Sequence, residues 1–301
     1  MALQDAIQTY HDLLTDELAA ATQAQLDDQQ RRHGLFFGDR PLCTVLRPRF
    51  LTPEQYAALK REVGVLLRAF GTAHQAAMAD PAVRAQFGLL DWEEALIQLD
   101  PGYSAPSPTS RLDTFLLDDG RFSITEYNAE TPAAPAYNEA LTALFFGLPV
   151  MRAFIRRYEV RPLLARHHVL HALLDAYQQW AGDRREPPRI AIVDWREVPT
   201  YSEHLLFRDY FLSQGIACIT ADPREIEYRN GQLVAGDFPI TLIYKRVLIS
   251  ELIDRGGLDH PIVRAVKDGA VCMVNSFRCK ILHKKASLAV LSDERNAGLF
   301  S

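Results

Sequence analysis

Apolar residues recur along this chain with two different periods. From Ala2 to about Gln30, the residues Ile7, Tyr10, Leu13, Leu14, Leu18 and Ala21 fall at helical spacing, and the alanine, leucine and glutamine content favours a helix. The same spacing predicts helices from Thr52 to about Met78, over Ala136–Phe146, Pro149–Tyr158 and Pro162–Trp180, and a short one from Pro81 to Phe87. Thr52-Pro53-Glu54-Gln55 reads as a helix start: threonine as N-cap, proline in the first turn, and glutamine placed to complete a capping box. Leu42–Leu46 is a short strand candidate.

The polar, proline-rich stretch Gly182–Pro188 marks a joint, and the pattern then changes. Arg189–Asp194, Gly215–Thr220, Ile240–Tyr244 and Ala270–Val274 are short continuous apolar runs, separated by helical stretches at Tyr201–Gln214 and Pro261–Asp268. Glu225–Tyr228 and Gln232–Ala235 flank the hairpin turn Asn230-Gly231. Strands alternating with helices predict an open parallel sheet covered on both faces, with ligands at the carboxyl ends of its strands. The first strand is followed by Asp194-Trp195-Arg196-Glu197 instead of a glycine-rich GxGxxG turn, which argues against a Rossmann dinucleotide site, and the chain carries no P-loop and no GxSxG.

The clearest period-two stretch is Ser110–Pro135, SRLDTFLLDDGRFSITEYNAETPAAP. It predicts strands Arg111–Asp118 and Arg121–Asn128 joined by the two-residue turn Asp119-Gly120, since a type I′ turn needs φ > 0 at both central positions. Such a loop fixes the register: Asp118 faces Arg121, Phe115 faces Ile124, Asp113 faces Glu126 and Arg111 faces Asn128. Alternation then gathers Arg111, Asp113, Glu126 and Asn128 on one face, continued by Phe115, Leu117, Phe122 and Ile124. Two carboxylates directly opposite each other, ~5 Å apart at Cβ, repel and call for a positive partner. With an arginine and an amide at the same end, the face suits a divalent cation together with an anionic ligand. The plainer reading is a surface salt-bridge ladder in which Arg111 offsets both acids.

Composition narrows the function classes. A chain of 301 residues is long enough for two domains and a sizeable core. A net charge of −5 without charged blocks argues against bulk attraction to nucleic acid. Cys43, Cys218, Cys272 and Cys279 lack CxxC spacing and read as reduced thiols of a cytoplasmic protein. The most apolar run, Ala140–Met151, contains a proline and is too short to span a bilayer, so no membrane partner is expected. His167, His168 and His171 share a predicted helix but lack the glutamate of a zincin motif, and read as residues of a half-buried helix. Phe277–Leu291 reads as a basic helix that turns apolar.

Four pieces of sequence, taken in order, resemble the circularly permuted ATP-grasp proteins related to glutathionylspermidine synthetase. The first and most specific is Arg111-x-Asp113 followed by Glu126-Tyr127-Asn128-Ala129-Glu130-Thr131-Pro132. The others are the helix start Tyr201-Ser202-Glu203-His204, the strand end Tyr244-Lys245-Arg246, and Asn275 followed by Lys285-Ala286. The resemblance implies an α+β / α/β fold in three parts. These are a helical N-terminal region with an antiparallel ATP-grasp-type hairpin sheet over 1–182, a parallel α/β domain like the pre-ATP-grasp domain over 189–275, and the start of the second ATP-grasp half over 276–301. It also implies a ligase in which ATP phosphorylates a carboxylate and an amine then attacks the acyl phosphate, on small-molecule or peptide substrates.

In that family pattern Asp113, Glu126 and Asn128 stand where Mg²⁺ is held. Arg111 stands where an arginine neutralises the transferred phosphoryl group and the acyl oxyanion. Lys285 and Arg246 fall on the ATP side, Glu203 and Lys245 on the substrate side. Physical chemistry agrees with such a use: magnesium prefers hard oxygen donors, phosphoryl transfer rests on positioning and charge neutralisation, and arginine's planar fork matches phosphate. The family's second grasp half follows the equivalent of Lys285, where this sequence has sixteen residues, so the chain is expected to be the N-terminal two-thirds of such a ligase. Two rivals stand beside it. One is a non-catalytic ATP-grasp-like binding module or ligase assembly partner; the other is a metal-dependent hydrolase using Asp113 and Glu126, disfavoured by the lack of a well-placed histidine base.

Overall fold

The computed structural model describes residues 3–117 and 121–300, and these pack as two compact units, each assembled from separate stretches of chain. One unit takes the chain up to Ala57 together with Ala133–His168 and Glu197–Tyr210. Its expected single N-terminal helix is two helices, Leu3–Leu13 and Asp16–Arg32. Thr15 makes the break: it is extended, its hydroxyl accepts from the Leu18 N–H, and Asp16 and Glu17 then occupy the first turn, where the helix dipole favours acids. Apolar faces of these helices meet Pro135–Gly147 and Pro149–Phe154 in a core around Tyr10, Leu26, Phe145, Leu148, Met151 and Phe154. Leu42–Leu46 is not a strand; the main chain of Cys43 is bonded instead to the Gln30 amide, which accepts its N–H and donates to its carbonyl. A short ribbon of Phe36–Phe37 and Arg40–Pro41 precedes it.

The other unit comprises Ala58–Pro132, Val169–Arg196 and the chain from Phe211 onward. Its frame is a four-stranded sheet in the order Cys272–Val274, Leu242–Lys245, Ile190–Val193, Cys218–Ala221, with every neighbouring pair parallel. Three of the four strands are buried throughout, which is why they read as continuous apolar runs and not as alternation. The run expected as one strand over Ile240–Tyr244 divides: Phe238–Ile240 closes a three-stranded antiparallel ribbon, and Leu242–Lys245 enters the parallel sheet. In that ribbon Arg229 pairs with Gln232 around Asn230 and Gly231, both at positive φ, as the turn chemistry demands.

The helix Pro53–Ala79 starts with the expected box: the Thr52 hydroxyl accepts the Gln55 N–H, and the Gln55 side chain accepts the Thr52 N–H. Among the described residues no helix is long and apolar enough to cross a membrane. Among the described residues the fold is mixed α/β, with a four-stranded parallel sheet and small antiparallel ones.

Candidate functional site

The strands Arg111–Leu116 and Phe122–Asn128 pair antiparallel, with Arg111 opposite Asn128 and Asp113 opposite Glu126. The expected turn Asp119-Gly120 and the strand residue Asp118 before it lie outside the described residues. Above Asp113 the register departs from the one expected: Thr114 pairs with Ile124, Phe115 with Ser123 and Leu116 with Phe122. Thr125 is the extra residue of a β-bulge, and its hydroxyl donates to the Asp113 carbonyl. One inserted residue exchanges the faces beyond it. Ile124 therefore joins Leu112 and Tyr127 against Phe70 and Leu282 in a core cluster, while Phe115 stays 62% exposed. The polar face is thus not continued by Phe122 and Ile124.

At the open end the quartet is tightly knit. Arg111 forks onto Asp113, with Nε 2.6 Å from Oδ1 and Nη2 3.1 Å from Oδ2. Arg111 Nη2 also lies 4.0 Å from Glu126 Oε1, which accepts from Asn128 Nδ2 at 2.8 Å. The hydrogen bonds from Arg111 hold the Asp113 carboxyl below its usual range against a smaller opposing effect of burial. Side-chain exposures of 36% for Asp113 and 35% for Glu126 leave both carboxylates within reach of ions in solution.

Lys285 arrives at this face from a distant part of the chain. Its Nζ is 3.8 Å from Glu126 Oε2, and the side chain is otherwise 82% exposed. Glu126, Tyr127, Asn128, His283, Lys284 and Lys285 line a cavity of about 210 Å³. The expected helix over Phe277–Leu291 is broken to allow this: Cys279–His283 and Ala286–Ser292 are separate helices, and Lys284 between them is extended at φ −65°, ψ 134°. The two adjacent lysines diverge. Lys284 bonds the Gly88 carbonyl and Glu93, while Lys285 is left over the cavity.

Behind the face lies a buried charge cluster centred on Glu130. Its carboxylate, with no solvent exposure, lies 3.2 Å from Lys280 Nζ, 3.7 Å from Lys245 Nζ and 3.6 Å from His283 Nε2. It also accepts the Ile249 N–H. Burial raises its pKa, but the two lysines, His283 and that N–H outweigh burial and hold it below the ordinary value. Lys280 reaches Glu93 as well, at 3.6 Å, on the helix Asp91–Ile97. The hairpin is anchored to the parallel sheet by Asn275, which follows the strand Cys272–Val274. Its amide donates to the carbonyls of Thr109, Ala129 and Glu130 and accepts from the N–H and hydroxyl of Thr109. Both ends of the hairpin are therefore held by one side chain.

The structure brings Arg111, Asp113, Glu126, Asn128 and Lys285 together. Lys245, 1% exposed, belongs to the Glu130 cluster and donates to the Val247 carbonyl, so its ammonium is committed inside the protein. Arg246 is buried at the carboxyl end of the strand Leu242–Lys245, its guanidinium 5.6 Å from the centre of the Tyr244 ring. It helps hold down Asp194, whose carboxyl burial nevertheless pushes up to about 6. Glu203 lies in the other unit, fully buried, where its carboxylate accepts the N–H groups of Ala134 and Ala136 at the start of the helix Pro135–Gly147. That carboxylate offsets a helix N-terminus that has no side-chain cap of its own. Periodicity gave no role to Glu130, Lys280, His283 or Asn275. For Glu130 and Asn275 the signal lay in the motif pieces themselves, as polar residues with no amphipathic pattern to explain them.

The sequence matches no protein-family model and no curated protein. In fold it is similar to a solved structure, a glutathione synthetase-like effector from Globodera pallida in its apo form, with a TM-score of 0.64 at 12% identity. The likeness covers 96% of this chain and 69% of that one. At this identity it establishes a shared fold.

Proposed function

We propose that the hairpin face is the magnesium–phosphate site of an ATP-grasp-type ligase, of the circularly permuted kind, that joins a carboxylate to an amine through an acyl phosphate. The observation that carries this reading is that Asp113, Glu126 and Asn128 meet on one strand pair, and that Glu126 and Asn128, in the EYNAETP stretch, line a cavity with Lys285, whose ammonium lies 3.8 Å from Glu126. The fold likeness to a glutathione synthetase-like protein supports it.

The donor set fits magnesium. It offers hard oxygens from two partly exposed carboxylates and an amide. A cation here would draw its remaining ligands from water and phosphate, which is magnesium's habit and not that of a dedicated protein cage. When bound, Mg²⁺ supplies neutralisation of phosphate oxygens. Asp113, Glu126 and Asn128 would hold it; Arg111, whose fork rests on Asp113 in this structure, would turn it to the transferred phosphoryl group and the acyl oxygen, and Lys285 would supply a point charge to the nucleotide phosphates. The bulge and the Asn275 anchor keep these groups on a fixed frame, which is where electrostatic catalysis gains most.

Calorimetric titration tests the reading. ATP should bind only with Mg²⁺ present, and Asp113→Asn or Glu126→Gln should weaken that binding at least ~100-fold, the scale of losing a charged ligand. A protein that binds no nucleotide with Mg²⁺ present would instead favour a non-catalytic binding module on the same fold.

A further inference from the structure

We infer that Arg111 and Lys285 are internal stand-in cations for the hairpin carboxylates, so that metal and polyphosphate occupy the site together and neither binds well alone; this rests on the magnesium–phosphate reading above. Both carboxylates are already engaged. Asp113 is held by both arms of the Arg111 fork. Glu126 is held by the Asn128 amide, by Arg111 at 4.0 Å and by Lys285 at 3.8 Å. A bare divalent cation arriving between them must displace these donors or lie a few ångströms from two positive groups that have lost their partners.

Charge counting makes the coupling explicit. Two cations face two carboxylates, so a divalent ion alone leaves the face positive, and a polyphosphate alone leaves it negative. Together the two ligands offset each other, so the face carries less charge than with the polyphosphate alone. Behind the face Lys245, Lys280 and Lys284 meet two carboxylates, Glu130 and Glu93, so these neighbours add one positive charge, which favours a polyphosphate and disfavours a bare cation. The exchange also needs little motion. Lys285 is 82% exposed on a flexible stem, and a guanidinium fork that fits a carboxylate fits a phosphate with the same two N–H groups. In the ligand-bound site the fork and the ammonium pass to phosphate oxygens, and the released carboxylates pass to the metal.

The inference predicts effects of opposite sign for one substitution. For wild type, Lys285→Met and Lys285→Arg, binding of Mn²⁺ alone is followed by the free-ion paramagnetic resonance signal, and binding of Mn²⁺ with inorganic tripolyphosphate by equilibrium dialysis, which counts only manganese retained with the protein. Lys285→Met should bind Mn²⁺ alone about two- to fivefold more tightly than wild type, the scale of one exposed ion pair removed. It should bind Mn²⁺ with tripolyphosphate roughly tenfold more weakly, and Lys285→Arg should keep the wild-type pattern. If wild type binds Mn²⁺ with tripolyphosphate but Lys285→Met binds Mn²⁺ alone no better than wild type does, the stand-in role is wrong while the magnesium–phosphate reading survives. A wild-type protein that takes up Mn²⁺ in neither condition overturns both.

Discussion

Glu130 shows how much of this site is held from behind. A carboxylate with no exposure to solvent is costly, and here it keeps its charge because Lys245, Lys280, His283 and the Ile249 N–H surround it. Such a cluster is costly to break from one side: removing the acid strands a 1% exposed Lys245 without its partner. Glu130→Gln should therefore lower stability at pH 7 by about 3–5 kcal/mol in urea unfolding. The pH dependence has a definite sign. Glu130's folded-state pKa is held below 4.5, so its contribution is complete above pH 4.5 and is lost as pH falls through the lower, folded-state value. The gap between wild type and Glu130→Gln should accordingly narrow only in acid below pH 4.5. A gap of less than 1 kcal/mol at pH 7 would show that the cluster is not coupled in this way.

Among elements, the hairpin and the broken basic helix decide the geometry. The pairing of Arg111 with Asn128 and of Asp113 with Glu126 is the one expected from a two-residue turn, although the register between these pairs and the turn is shifted by one residue. The bulge was legible in the apolar positions: Phe122, Ile124 and Tyr127 are apolar at spacings of two and then three, a phase slip that period two cannot produce. The turn at Lys284 had no such mark, since no glycine or proline stands there and the break is stabilised by Glu93 and the Gly88 carbonyl, distant in sequence. Asn275 likewise acts only through tertiary contacts, joining Thr109 to Ala129 and Glu130. Asn275→Ala removes five hydrogen bonds from buried groups, and should cost about 2–4 kcal/mol. Hydrogen exchange should place the loss in the hairpin amides first, with the strands Ile190–Val193 and Leu242–Lys245 less affected. Equal loss of protection in hairpin and sheet would contradict an anchoring role.

For the whole molecule, the parallel sheet could be read from its apolar runs, because strands buried on both faces leave that signature. Strand order could not, since nothing in the sequence says that Leu242–Lys245 returns to the far side of Ile190–Val193 from Cys218–Ala221. That order matters for the site. It puts Cys272–Val274 at the sheet edge with Asn275 beyond its carboxyl end, where the hairpin is tied on. Lys245 and Glu203 illustrate the opposite limit: a charged residue in a suggestive motif looks the same in sequence whether it meets a ligand or closes a buried pair or a helix end.

Whether the hairpin face holds a divalent cation together with phosphate can be seen in an anomalous-difference map from crystals grown with Mn²⁺ and a non-hydrolysable ATP analogue. A manganese peak is expected among the side-chain oxygens of Asp113, Glu126 and Asn128, with Arg111 and Lys285 turned to the phosphates. Manganese and analogue bound elsewhere, with the Arg111–Asp113 fork and the Lys285–Glu126 contact intact, would contradict it.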